Sequence, residues 1–233
     1  LMPEGIEAAF GKADKIIEGT FKVPPICDCH LEKVTSHAYT DADGKIVVVS
    51  STQSPHVCRR VISQALGISW GRVRVIKPYI GGGFGNKNDV LYEPLTAFLA
   101  SKLPNNIVTL SLSYEESMVG TRTRHGMEIK LKTGINNDGT ILARTMELVS
   151  NTGAYASHGH IVAINAAAKY RQLYPNALNG FKLTTVYTNI ATAGAMRGYG
   201  IPQVMFAMEA HMEDIASQLE KDTIEIHLKN VIA

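Results

Sequence analysis

Two glycine-rich segments of this chain are well suited to hold a ligand. The first is Gly81-Gly82-Gly83-Phe84-Gly85-Asn86-Lys87, and the second is Ala195-Met196-Arg197-Gly198-Tyr199-Gly200-Ile201-Pro202-Gln203. Glycine tolerates positive φ and lets backbone N–H groups approach a bound group closely. Each segment also presents one aromatic side chain. The chemistry this implies is recognition of an anionic or oxo ligand by main-chain donors, not catalysis by paired acids and bases. The first segment departs from the phosphate-binding loop of nucleotide enzymes, because Asn86 stands where a glycine is needed before the lysine and Asn88 follows it. It also lacks the last glycine of the dinucleotide fingerprint, which falls at Asn86 or Asn88 depending on register. A turn that merely reverses the chain fits either segment taken alone. Two of them in one chain point to a shared site.

Other reactive residues are sparse. Cys27-x-Cys29-His30 has the form of a metal corner but lacks a second ligand pair at zinc spacing. Cys58 falls on the apolar face of an expected helix and reads as a small core residue. His158 and His160 flank Gly159 with no carboxylate motif nearby and read as loop histidines. His211 lies in a methionine-rich helix and reads as a satisfied or exposed helical residue. Glu32, Glu115 and Glu116 are the carboxylates that invite an acid–base role, and Glu115-Glu116 fits the start of a solvated turn. There is no nucleophile elbow and no His-Glu-x-x-His.

The elements that must position these groups follow from periodicity and punctuation. Strands are expected at 20–23, 35–39, 45–51, 72–77, 107–113, 127–133, 140–149 and 181–187. Ser54 as N-cap, Pro55 at the first helical position and Gly67 as the stop delimit a helix. Asp89 is placed to cap a helix over about 90–103, with Pro94 near its first turn. A partly helical segment is expected over 158–171. A further helix runs from Gln203 to Leu219, with Met205, Met208, Met212, Ile215 and Leu219 on one face. Asp222 caps the last helix, with Glu225 three residues on. Met127, Ile129 and Leu131 alternate with Glu128, Lys130 and Lys132, and Asn136-Asn137-Asp138-Gly139 turns that strand into its partner. The fold class expected is α+β, a two-layer arrangement of mixed sheets covered by helices. The whole chain, 1–233, reads as one region, with a subdomain boundary near 113–126.

Composition excludes several classes. The chain has 233 residues, of which 45% are hydrophobic and 19% charged, and a net charge of +2. That is enough for a sizeable core and too little positive charge for a nucleic-acid surface. No apolar run approaches the roughly 18–20 residues that span a bilayer. Three cysteines are too few for a disulfide framework and favour a reducing compartment, hence the cytoplasm. Both ends look cut, as in a piece of a larger protein.

Three segments together are specific enough to suggest a family. Ser51-Thr52-Gln53-Ser54 precedes the first long helix. Ile80-Gly81-Gly82-Gly83-Phe84-Gly85-Asn86-Lys87 follows the next strand. Thr188-Asn189 leads on to Ala195–Gln203. In order and spacing the chain resembles the molybdenum-binding subunit of the xanthine dehydrogenase and aldehyde oxidoreductase family, in the first half of the molybdopterin-binding region. The resemblance covers nearly the whole chain. It implies a molybdenum–pyranopterin cofactor, in mono- or dinucleotide form, whose metal takes no side-chain ligand from the protein. Gln53 would donate its amide to an oxo group of the metal. Gly83, Phe84 and Gly85 would bring backbone and ring above it. Arg197, with Gly198, would lend its backbone N–H to the cofactor's surroundings. Tyr199 would stack on a planar substrate, its hydroxyl able to meet a polar substituent, and Asn88 would face the substrate too.

The resemblance further implies hydroxylation of an electron-poor carbon with water as the oxygen source. Electrons would leave through 2Fe-2S clusters to FAD, held on partner subunits or domains. The general base would be a glutamate downstream of this chain, so that no catalytic residue lies within it and the fragment alone would be inactive. The partners implied are the remainder of the molybdenum subunit, an iron–sulfur subunit and an FAD subunit, with no nucleic acid and no membrane. Asn88 stands where purine-specific members carry a glutamate, and the apolar stretch 161–168 offers no arginine. Gly198 stands where carbon monoxide oxidisers carry a cysteine. The substrate expected is therefore an aromatic N-heterocycle, with an aldehyde next. A non-catalytic assembly module of such a complex is the alternative from another class.

Overall fold

A computed structural model describes residues 1–231. In chain order the elements are α1 (Ile6–Phe10), β1 (Lys15–Val23), β2 (Thr35–Thr40), β3 (Ile46–Ser50), α2 (Pro55–Leu66), β4 (Val73–Ile76), α3 (Glu93–Lys102), β5 (Val108–Ser111), α4 (Tyr114–Gly120), β6 (Gly126–Ile135), β7 (Ile141–Gly153), α5 (Gly159–Leu173), β8 (Leu178–Tyr187), α6 (Ile201–Leu219) and α7 (Thr223–Asn230). They form two mixed four-stranded sheets, as the α+β expectation required. The chain divides into two compact units. Unit 1 holds Leu1–Ile26, His125–Ala193 and the chain from Gly198 onward, and unit 2 holds Cys27–Arg124 with Gly194–Arg197.

Unit 1 is built on the sheet β1-β6-β7-β8, in which β7 and β8 are parallel and the other pairs antiparallel. Alternation along β6 buries Met127, Ile129 and Leu131, as the sequence pattern requires. They pack with Met146 and Leu148 of β7, with Val162, Ala163 and Ala166 of α5, and with Met208, Met212 and Ile215 of α6. The methionine stripe is thus core, with Met205 and Leu219 at its margin. β7 runs past the expected end at Val149 as far as Gly153, because β8 pairs with it throughout.

Unit 2 is built on the sheet β4-β3-β2-β5. β3 and β4 are parallel and α2 makes the crossover between them. Ile46 and Val48 pack with Cys58 and Ile62 of α2 and Ala97 and Ala100 of α3. Gly67 ends α2 with φ 64°, the left-handed stop that glycine accommodates.

Three expectations need correction. α3 begins at Glu93, not near Val90, and Asp89 does not cap it: the Asp89 carboxylate pairs with Arg122. Glu93 instead accepts the Leu91 and Tyr92 N–H groups at 3.1 and 3.2 Å. Glu115-Glu116 opens a helix, not a solvated turn. Ser113 and Glu116 close a reciprocal capping box at the head of α4, which satisfies two backbone donors at once. The short α1 carried no sequence signal.

Candidate functional site

Within unit 2 the turn 81–88 is fixed by bonds from several directions. Gly81 N–H donates to the Glu32 carboxylate at 2.9 Å, and Glu32 N–H donates back to the Gly81 carbonyl at 2.9 Å. The buried Lys87 ammonium pairs with the same carboxylate and donates to the Glu32 carbonyl at 3.0 Å. Partial burial would raise the Glu32 carboxyl, but the bond from Lys87 and that from Gly81 outweigh it and hold it below its usual range. Glu32 therefore anchors the turn. At the far side Asn86 N–H donates to Asp28 Oδ2 at 3.1 Å, and Asn86 Nδ2 donates to Thr121 Oγ1 at 2.8 Å and to the Arg122 carbonyl at 3.0 Å. Burial pushes Asp28 up to about 6, against the bond from Asn86 and the charge of Arg124.

This scaffold imposes an unusual backbone. Phe84 sits at φ 51° with its ring about half exposed, between Gly82 at φ 97° and Gly85 at φ 115°. A non-glycine residue there is strained by roughly 1–3 kcal/mol, which persists only where neighbours over-determine it. Two bonds do so. Gln53, between β3 and α2, accepts the Gly85 N–H on Oε1 at 3.0 Å, while its own N–H donates to the Lys87 carbonyl at 2.8 Å. Arg197 N–H donates to the Phe84 carbonyl at 2.7 Å. The Arg197 carbonyl accepts from Arg124 Nη2 at 2.8 Å, and Gly194 N–H donates to the Thr123 carbonyl at 3.0 Å. A Cβ on Gly85 would stand 2.5 Å from the Ala195 carbonyl oxygen, so only glycine lets the two segments meet.

The structure therefore brings Gln53, Gly83, Phe84, Gly85 and Arg197 together. It changes the role expected of Arg197, whose backbone N–H closes the protein's own turn instead of facing a cofactor. Asn88 has a structural contact as well. Its Oδ1 accepts the Ser54 hydroxyl, which leaves α2 without a side-chain cap and makes Asn88 a brace of the turn.

Gly198 and Tyr199 belong to unit 1. Gly198 has φ 85°, and a Cβ there would lie 2.6 Å from the Pro202 ring. Tyr199 has φ 47°. Its carbonyl accepts from Asn165 Nδ2 at 2.8 Å, its hydroxyl lies 2.7 Å from His158 Nδ1, and its ring meets His158 edge-on at 5.7 Å. The Tyr199 hydroxyl thus has a partner in the protein, His158. Sequence reasoning treated His158 as a loop histidine, and no spacing linked it to Tyr199. Asp28, Arg124 and Thr121 were missed for the same reason.

The donor set shows what the turn in unit 2 can hold. Gly82, Gly83 and Phe84 N–H groups donate to no protein acceptor among the described residues. With Oε1 fixed by Gly85, the Gln53 Nε2 donors are also left without a protein partner among the described residues. Neutral donors at a half-exposed strained turn suit an anionic or oxo-bearing group. Among the described residues no three His, Cys, Asp or Glu side chains gather to ligate a metal directly. A molybdenum–pyranopterin, which brings its own metal ligands and presents oxo groups, fits these residues.

Comparison with known proteins agrees. A family model for the molybdopterin cofactor-binding domain matches residues 3–231. The putative xanthine dehydrogenase molybdenum-binding subunit of Escherichia coli is 50% identical over 225 residues, 97% of this chain and 30% of that protein. The nicotinate dehydrogenase large molybdopterin subunit of Eubacterium barkeri is 35% identical over 229 residues, 97% of this chain and 53% of that protein. The aldehyde oxidoreductase structure from Desulfovibrio gigas superposes on the whole chain with a TM-score of 0.91 and 28% identity, and the chain covers 25% of it. The chain thus spans less than a third of the Escherichia coli relative's length. With the match running over 3–231 and the donor-lined turn at its expected place, this chain belongs to the molybdopterin cofactor-binding domain family, among the molybdenum hydroxylases.

Proposed function

We propose that this chain is the cofactor-holding part of a molybdenum hydroxylase that oxidises an aromatic N-heterocycle. The observation that carries the reading is the donor set at 82–85: unused backbone N–H groups beside a glutamine amide oriented by Gly85. When bound, the molybdenum–pyranopterin would supply the redox chemistry that hydroxylates an electron-poor carbon with water as oxygen source. Gln53 Nε2 donates to an oxo group. The Gly82–Phe84 amides favour the negative charge of the bound group, and the Phe84 ring shields it from water. Asp28, Glu32, Lys87, Asn88 and Arg197 hold the turn in place. Tyr199, with its ring steered by His158, stacks on the planar substrate.

The xanthine and nicotinate dehydrogenase relatives support the heterocycle. The likeness to an aldehyde oxidoreductase keeps an aldehyde as the second reading. The general base is assigned to a glutamate outside this chain, which alone is inactive. Iron–sulfur and FAD subunits or domains complete the electron path, and the assembly is placed in the cytoplasm.

The test is Gln53→Ala in the complete complex, with molybdenum and pterin measured beside turnover. Loss of one preorganised donor should lower turnover about 10²-fold. Unchanged turnover with full cofactor content rejects the role of Gln53. A purified complex without stoichiometric molybdenum and pterin rejects the whole reading in favour of an assembly module. The heterocycle and the aldehyde are separated by kcat/KM on nicotinate-like and benzaldehyde-like probes.

A further inference from the structure

Unit 1 buries one charge that apolar packing does not account for, the guanidinium of Arg144. Arg144 lies on β7, paired in register with Thr133 of β6, and is only 2% exposed. Its Cζ lies 4.5 Å from the centroid of the Tyr170 ring on α5 and 4.7 Å from that of Tyr174, just past the end of α5. Ring faces attract a guanidinium but leave its N–H hydrogens unbonded. Arg144 Nε and Nη1 are buried and meet no protein acceptor among the described residues. The buried Tyr170 hydroxyl and His211 Nδ1 are likewise without a protein partner among them. His211 belongs to the same cluster, because its Nε2 lies 3.1 Å from Oγ1 of Thr133.

No acid answers this charge. Among the described residues no carboxylate pairs with Arg144. Glu209 is engaged elsewhere: it lies 3.3 Å from His227 Nε2, and His227 Nδ1 lies 2.7 Å from the Tyr174 hydroxyl. Burial, against the pull of the Arg144 charge, pushes the Tyr170 hydroxyl up to about 12, so it adds a donor and no countercharge. Arginine does not shed its proton in proteins. A buried charge without a counterion carries a heavy desolvation penalty.

We propose that Arg144 and the Tyr170 hydroxyl bind a buried halide ion, chloride under ordinary conditions. A single-atom anion neutralises the guanidinium and accepts from N–H and O–H donors in any direction. A carboxylate or phosphate would bring further oxygens for which this close-packed interior has no donors.

The complete complex is crystallised with bromide in place of chloride, and anomalous diffraction is collected at the bromine edge. We expect a bromide peak within hydrogen-bond distance of Arg144 Nε or Nη1. Hydrogen exchange of the β7 amides is also compared at equal ionic strength in potassium chloride and in potassium gluconate, whose anion is too large to enter. Chloride should slow exchange about tenfold, as a site held at about ten times its dissociation constant requires. Arg144→Met should abolish both effects, and should that variant not fold, the peak in the unmodified protein carries the test. Ordered water in place of bromide at the guanidinium, equal exchange in the two salts, or a chloride effect that survives in Arg144→Met would each overturn the proposal. Bromide bound without protection by chloride would mark a site filled at crystal concentration only, and would overturn it too. None of these readouts requires bound cofactor.

Discussion

The two units share an architecture, a mixed four-stranded sheet with helices packed on it, yet they keep their shape by different means. Unit 1 relies on a broad apolar core of methionine, isoleucine, leucine and alanine from β6, β7, α5 and α6. Unit 2 has a smaller apolar cluster and many buried polar groups: Asp28, His30, Ser50, Thr52, Asn86, Lys87, Glu93 and Thr96. Apolar packing is non-directional and sets where elements lie. Hydrogen bonds and ion pairs are directional and set where single atoms lie. A site made of main-chain donors needs the second kind of control, and it is found around the turn that carries Phe84.

The contrast can be broken most severely at glycine. Gly85→Ala places a Cβ against the Ala195 carbonyl at φ 115°, and should destabilise unit 2 by about 3 kcal/mol or more. Gly5→Ala in unit 1, at φ 81° with nothing within 4 Å, should cost only about 1–2 kcal/mol. Denaturation midpoints of the two variants check this. Equal losses would mean that the close approach at Gly85 is unimportant.

Acid sharpens the comparison, because the two units carry buried groups of opposite kind. His211 packs against Phe21, bonds Thr133 at 3.1 Å through Nε2 and lies near Arg144. Burial, then the Arg144 charge, lowers it to about 4. Its neutral form is therefore favoured in the fold, and unit 1 should lose on the order of 3 kcal/mol as pH falls from 6.5 through 4. Asp28 is raised to about 6 by burial. Its protonated form is favoured in the fold, so unit 2 should lose a similar amount, about 3 kcal/mol, as pH rises from 4 through 6. Hydrogen exchange across this window should show slopes of opposite sign in β6 and in residues 81–88. His211→Gln should flatten the first and Asp28→Asn the second, and slopes of one sign would refute the assignment.

Smaller effects separate anchoring from donation. Lys87→Met removes the ammonium that joins Glu32 to the turn. Because Glu32 is about one-third exposed, the loss should be about 2 kcal/mol, below that of a fully buried pair. Gly83→Ala should change stability least, by about 1 kcal/mol, because its Cβ, 2.7 Å from Gln53 Oε1, displaces that oxygen from the single hydrogen bond it accepts from Gly85. It should nevertheless lower pterin content, since the Gln53 amide must turn away. A Gly83→Ala protein with full cofactor content would show that the orientation of Gln53 does not matter.

Legibility in the sequence followed the range of the interactions involved. α2 was readable because Ser54, Pro55 and Gly67 are local signals, and β6 because its alternation meets a single buried face. The start of α3 was misread because Asp89 looks like a cap until Arg122, distant in the chain, takes its carboxylate. Gln53, Phe84 and Gly85 came from motif resemblance, and their contacts could not be read from spacing. The real task of the Arg197 amide was invisible, since its acceptor is a backbone carbonyl on another segment. Asp28 had no periodicity or motif to mark it.

The strand of chain Gly194–Arg197 returns to unit 2 only after most of unit 1 has been synthesised. Until it arrives, the carbonyl of Phe84 and the guanidinium of Arg124 lack the backbone groups they bind in the finished fold. Unit 2 is therefore completed by a segment that the chain supplies only after β8.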